Sequence, residues 1–151
     1  MEAPNPTVLP YATPAAPVIK FFSIAGIVIA TFFGTPMGGL VLMAMNYRRL
    51  GRGDLFWPTL LWGVATTAGV VVAAILLPDR FPGTLFSLIL LFIMRRIAKH
   101  LQGGEILIHQ ARGGSMASNW LALGIGLLAL IAVMIVLFAV LIPLVMLGYI
   151  E

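Results

Sequence analysis

Cysteine is absent from the 151 residues. That excludes disulfides, thiolate metal sites, a cysteine nucleophile and palmitoylation, and it leaves the redox compartment unreadable. Charge is almost as scarce: only 9% of residues are charged, where a soluble domain carries about 25%. Phosphate-binding glycine loops, H-E-x-x-H and G-x-S-x-G are all missing, which removes the common nucleotide, zinc-protease and serine-hydrolase signatures. No Asp, Glu, Lys, Arg or His lies in the centre of a long apolar run. Ionisable groups at such depths mark proton relays and coupling-ion sites, so their absence argues against a proton- or sodium-coupled transporter, although carbonyls and hydroxyls also hold sodium.

What the chain has instead is apolar residues, 61% of the total, with a mean hydropathy of +1.08. Folding a chain of this size hides only about 70% of its surface, so a soluble monomer is excluded and a multi-spanning membrane protein is indicated. The net charge of +4 would suggest nucleic acid in a soluble domain. Here the bases sit in short loops between apolar runs, which is how membrane topology is encoded, and no nucleic-acid partner is expected.

Residues 1–20 contain Pro4, Pro6, Pro10, Pro14 and Pro17 and no base before Lys20. A secretory signal needs a basic start and an apolar core, so this segment reads as a Pro-rich disordered tail. Residues 21–151 read as an all-α, polytopic domain of four transmembrane helices in a small bundle. The expected spans are about 21–45, 55–77, 82–101 and 120–147, since roughly 20 apolar residues cross a bilayer. The first run carries Gly34, Pro36, Gly38 and Gly39, which should kink the helix at Pro36 and let a neighbour approach. Asp54 is a candidate N-cap for the second run, with Pro58 in its first turn. The third run is short, Phe81 to Met94, but Arg95, Arg96 and Lys99 continue its helical pattern and can snorkel to the interface. Gly103-Gly104 is expected to end it, followed by a short interfacial helix over 105–112. Ser118 or Asn119 would cap the fourth run, and Pro143 would kink it.

Seven of the nine bases fall in two loops: Arg48, Arg49 and Arg52 after the first run, and Arg95, Arg96, Lys99 and Arg112 after the third. The positive-inside rule places both loops in the cytoplasm. With four crossings, both termini would be periplasmic. Arg48, Arg49, Arg52, Arg95, Arg96 and Lys99 are therefore topology determinants at the depth of lipid headgroups. His100, Glu105 and His109 form the one candidate catalytic cluster. Zinc needs three closely placed ligands, and this spacing does not supply them, so no catalytic residue, cofactor or metal is assigned. Hydroxyls within the runs, such as Thr31, Thr35, Thr66, Thr67 and Ser87, are expected to bond back to their own helices or to a neighbouring one.

Phe32-Phe33-Gly34-Thr35-Pro36-Met37-Gly38-Gly39 leading to Asn46-Tyr47-Arg48-Arg49-Leu50-Gly51, with Leu101-Gln102-Gly103, His109 and the Gly113-Gly114 to Trp120 stretch, resembles small uncharacterised bacterial inner-membrane proteins. The resemblance implies a four-helix membrane protein and brings no activity with it. The sequence therefore points to a non-enzymatic protein of the bacterial inner membrane. Its partners would be the lipid bilayer and either another membrane protein or further copies of itself. It would act by helix packing, as an assembly partner or as protection against a membrane-acting toxin. The alternative is a small channel or transporter component formed by oligomerisation around the Gly34–Gly39 segment.

Overall fold

A computed structural model describes residues 19–78 and 82–148. The described chain is helical, in four helices: α1 (Ile24–Arg49), α2 (Phe56–Leu76), α3 (Gly83–Ala111) and α4 (Asn119–Met146). A single 3-10 turn, Gly53–Leu55, leads into α2. The proposed tail falls almost wholly outside the described residues. By length and composition Ile24–Arg49, Gly53–Leu76 and Asn119–Met146 are each sufficient to cross a membrane. The described protein is thus all-α and membrane-like.

The first helix is not one rod. Gly34 (φ −113°, ψ 15°) and Thr35 (φ 62°, ψ 178°) leave the helical region, and Pro36 has no N–H to offer the carbonyl of Phe32. A continuous helix would hold residues 22 and 46 about 36 Å apart at 1.5 Å per residue. Instead the Asn46 side chain is hydrogen-bonded to the Phe22 backbone, and Arg49 donates to the Lys20 carbonyl. Gly38 lies against Ala30, and Gly39 against Ile27 and Thr31. The chain therefore reverses at residues 34–35, and two antiparallel arms, 24–33 and 36–49, pack side by side. This corrects the expectation of a merely kinked span over 21–45. The first arm is about 15 Å long by the helical rise, half of a hydrocarbon core of about 30 Å.

The other helices are arranged around this hairpin. Ala122 packs on Gly26, and Gly126 on Ala30 and Gly34, so α4 runs parallel to the first arm. Gly63 meets Met37 and Leu40, placing α2 along the second arm. Met94 reaches Gly39, and Gln102 reaches Met43 and Asn46, so α3 descends in the direction of the second arm. All three helices contact α1, and none makes a close backbone approach to another. Burial follows from this. α2 buries only Gly63 and Thr67, and α4 only Ala122, Gly126 and Ala129. α3 buries residues from Met94 to Ile106. The core is at the level of the hairpin, around Phe22, Ile27, Leu42 and Met43. Beyond its tip the helices separate.

Other local expectations also change. Gly103-Gly104 does not stop α3; the helix continues through both glycines to Ala111 and absorbs the expected interfacial helix. Gly103 is buried and Gly104 faces open space, so a missing side chain costs no contact there. Asp54 lies inside the 3-10 turn and does not cap α2. Ser118 does cap α4, accepting from the Trp120 amide at 3.2 Å. Asn119 accepts from Ser23 instead. Finally, placing both termini outside assumed that the first run is one continuous span, and the chain reverses within it.

Candidate functional site

Three features are organised by the hairpin: a polar clamp at its mouth, a strained turn at its tip, and a basic rim. The clamp centres on Asn46 and Gln102, both fully buried. Asn46 Oδ1 accepts from the Phe22 amide at 2.8 Å, and its Nδ2 donates to the Phe22 carbonyl at 3.0 Å. The carboxamide thus pairs with Phe22 as a neighbouring strand would. Asn46 Nδ2 also donates to Gln102 Oε1 at 3.1 Å, and Gln102 Nε2 donates to the Met43 carbonyl at 2.8 Å. One network therefore joins the entry segment, the second arm and α3. The Ala117 amide adds a further tie by donating to the Phe21 carbonyl at 2.8 Å, which holds the start of α4 to the same mouth. Sequence reasoning missed Asn46 and Gln102, although each is next to a basic cluster.

At the tip, Gly34, Pro36, Gly38 and Gly39 are all buried. A side chain at Gly34 would collide with the Gly126 backbone, one at Gly38 with the Ala30 carbonyl, and one at Gly39 with the Thr31 hydroxyl. Thr35 has a positive φ, a region that L residues avoid. Its Oγ1 is buried without a partner, whereas Thr31 Oγ1 donates to the Ile27 carbonyl at 2.9 Å. Beside the tip is a cavity of about 440 Å³, lined by Thr35 and Phe33, by Val70 of α2, Ser87 and Leu90 of α3, and Leu130 of α4.

Arg48, Arg49 and Arg52 gather at the mouth end. Arg48 lies 5.9 Å from the Phe56 ring, Arg49 4.7 Å from Phe22, and Arg52 5.5 Å from Tyr47. Arg52 also pairs with Glu105 at 3.6 Å, on half-exposed side chains. Arg95, Arg96 and Lys99 are exposed on α3, with Arg96 5.9 Å from the Phe92 ring.

The candidate cluster His100, Glu105 and His109 divides among separate partners. Glu105 faces Arg52. His109 stacks edge-on against Phe21 at 4.4 Å and lies 3.2 Å from the Ser115 carbonyl. His100 lines a groove with Arg96 and Lys99. Among the described residues no three His, Asp or Glu side chains come together. No family model, curated protein or solved structure matches the chain.

Proposed function

We propose a non-enzymatic integral protein of the bacterial inner membrane that acts through contact with other membrane proteins, as an assembly partner or as protection against a membrane-acting toxin. Its topology in this reading is three crossings and one re-entrant hairpin. The hairpin enters and leaves on one side, and α2, α3 and α4 each cross. α3 belongs among the crossings because Leu90 and Leu91 are at the tip while His109 reaches Phe21 at the mouth. Lys20, the Arg48–Arg52 bases and the α3 bases then share the mouth side, and the positive-inside rule makes it cytoplasmic. The N-terminal side of the hairpin is cytoplasmic and the end of α4 is periplasmic.

The observation that carries the functional reading is the separation of α2, α3 and α4 past the tip. There Val72, Ile75, Leu85, Leu88, Ile135 and Phe138 are exposed, and α2, α3 and α4 make no close backbone approach to one another. Helices in lipid gain by packing against one another, and an unpacked half-bundle leaves that gain to a partner. Photo-crosslinkers at Ile75 and Ile135 in native membranes test this. Defined protein adducts support the reading. Adducts to lipid alone, with a monomer in detergent, reject it.

The channel or transporter reading has an observation of its own in the tip cavity. Non-helical backbone at membrane depth is tolerated where protein buries it or where it lines a cavity, and residues 34–35 do both. Solute flux through proteoliposomes, abolished by Ser87→Leu, would favour this reading.

A further inference from the structure

We propose that the cytoplasmic half of α3 holds an anionic phospholipid, with its phosphate at Arg96, Lys99 and His100 and an acyl chain in the adjoining cleft between α2 and α3. The three polar side chains are at i, i+3 and i+4, so they share one face of the helix. With Ile97 and Leu101 they line a single groove. None of them has an acidic partner: the ion pair found among the described residues is Arg52 with Glu105. Arg96 and Lys99 are thus exposed bases with their charge uncompensated, and guanidinium and ammonium groups are the usual ligands of phosphate.

The lipid, as opposed to a free anion, is indicated by the second half of the site. Ile97 and Leu101 also form one wall of a cleft of about 250 Å³, whose other walls are Leu40, Met43 and Tyr47 of the hairpin and Thr59, Trp62 and Thr66 of α2. This cleft lies where α2 and α3 both pack on the second arm without a close backbone approach to each other. It is mainly apolar. Its only hydroxyls are those of Tyr47, Thr59 and Thr66, and both threonine hydroxyls already donate to carbonyls of their own helix. A basic groove and an apolar cleft that share two residues match a headgroup joined to its chain. Met94 lines the cleft and also reaches Gly39 of the hairpin, so the chain would point toward the tip, as a cytoplasmic-leaflet lipid does. Placing the groove at the cytoplasmic interface rests on the topology proposed above; the binding itself does not depend on a protein partner.

The experiment is lipid retention by native mass spectrometry, with the full chain taken from micelles containing either phosphatidylglycerol or phosphatidylcholine. The wild type should keep one phosphatidylglycerol in preference to phosphatidylcholine. Arg96→Gln with Lys99→Gln should weaken that binding by about tenfold or more, given that each base near an anionic surface contributes about 1 kcal/mol. Arg112→Gln removes a charge outside the groove and should leave binding unchanged. The exchange Arg96→Lys with Lys99→Arg preserves the charge and should retain it. Thr59→Trp, which fills the cleft from α2 and does not line the groove, should weaken lipid binding while leaving the response to glycerol phosphate unaltered. Equal loss in Arg112→Gln would show diffuse attraction and overturn the site. Retention in the double Gln variant would overturn it too. Glycerol phosphate competing as well as the lipid would show an anion site with no chain. A failure of the partner-protein reading would leave every one of these outcomes intact.

Discussion

Replacing Asn46 with leucine, which has nearly the same volume, should open the hairpin. Asn46 is fully buried and makes three hydrogen bonds. Its removal leaves the Phe22 N–H, the Phe22 carbonyl and Gln102 Oε1 without those partners. Each buried polar group left unpaired costs about 1–3 kcal/mol, so the loss of three partners should be about 3–9 kcal/mol. That is a large part of the roughly 5–15 kcal/mol that holds a domain folded. Gln102→Leu should cost less. Asn46 Nδ2 keeps the Phe22 carbonyl, and the Met43 carbonyl lies within a helix that supplies it with another donor, so about 1–2 kcal/mol is expected. The double variant should cost less than the two single losses combined, because both remove the bond between the two carboxamides. Equilibrium unfolding in mixed micelles measures all three. A loss for Asn46→Leu no greater than that for Gln102→Leu would refute the reasoning. It would mean that water replaces the carboxamide at the mouth.

Further outcomes follow from the same geometry. Spin labels at Lys20→Cys and Arg48→Cys should lie within about 20 Å of each other, whereas a straight helix would separate those residues by about 42 Å; the absence of native cysteine makes the pair clean, and a long distance would rule out the hairpin. Ile19→Cys should react with a membrane-impermeant thiol reagent from the cytoplasmic side and Leu147→Cys from the opposite side; labelling from the same side would reject the three-crossing topology. Thr35→Gly should raise stability by about 1–2 kcal/mol, because it relieves a positive φ and removes an unpartnered hydroxyl; a lower melting temperature would mean that the hydroxyl has a partner in the membrane. Gly126→Val should destabilise the fold, since the Ala30 backbone leaves no room, while Gly124→Val meets open space and should be tolerated; equal melting temperatures would show that α4 does not pack on the hairpin.

The helices were legible because apolar runs and breakers speak for themselves. The runs from Leu55 to Leu77 and from Trp120 onward became α2 and α4 nearly as expected. The glycines at 34, 38 and 39 stand out in the sequence as points of close approach, and a side chain at any of them would collide with neighbouring atoms. What they approach was not legible. Gly38 and Gly39 allow the chain to pack on its own preceding arm, and a small-residue pattern is the same whether the neighbour is near or far in sequence. The apolar run over 21–45 is long enough for either a crossing or two half-depth arms. Hydropathy does not distinguish them, because both are buried from water. The signals that do are Pro36, which cannot complete the helix, and Asn46, a carboxamide at the end of an apolar run. Read singly, each suits a kink and an interfacial cap. Only the pairing of Asn46 with Phe22, set by contacts distant in sequence, joins them into a reversal. Gly103-Gly104 misled for the converse reason: glycine lowers helix propensity by about 1 kcal/mol, and the packing of Gln102 and Ile106 on both sides of it overrides that cost.

In the proposed topology the re-entrant segment must satisfy its backbone without help from lipid, which would account for the central place of the hairpin. The reversal at residues 34–35 exposes carbonyls that no helix continues to pair, and an unsatisfied group in hydrocarbon costs several kcal/mol. A tip facing lipid would bear that cost in full. Here Gly34 and Pro36 are buried, and Gly126 of α4 closes over the turn, while α2 and α3 line its other sides. The three helices are therefore arranged around the hairpin because its tip needs cover. Past it, α2, α3 and α4 make no close backbone approach to one another. The cleft between α2 and α3, the separated outer halves and the gathering of bases at the mouth all follow from that one reversal. The proposed lipid groove and the proposed partner-facing surface are then two consequences of the same fold.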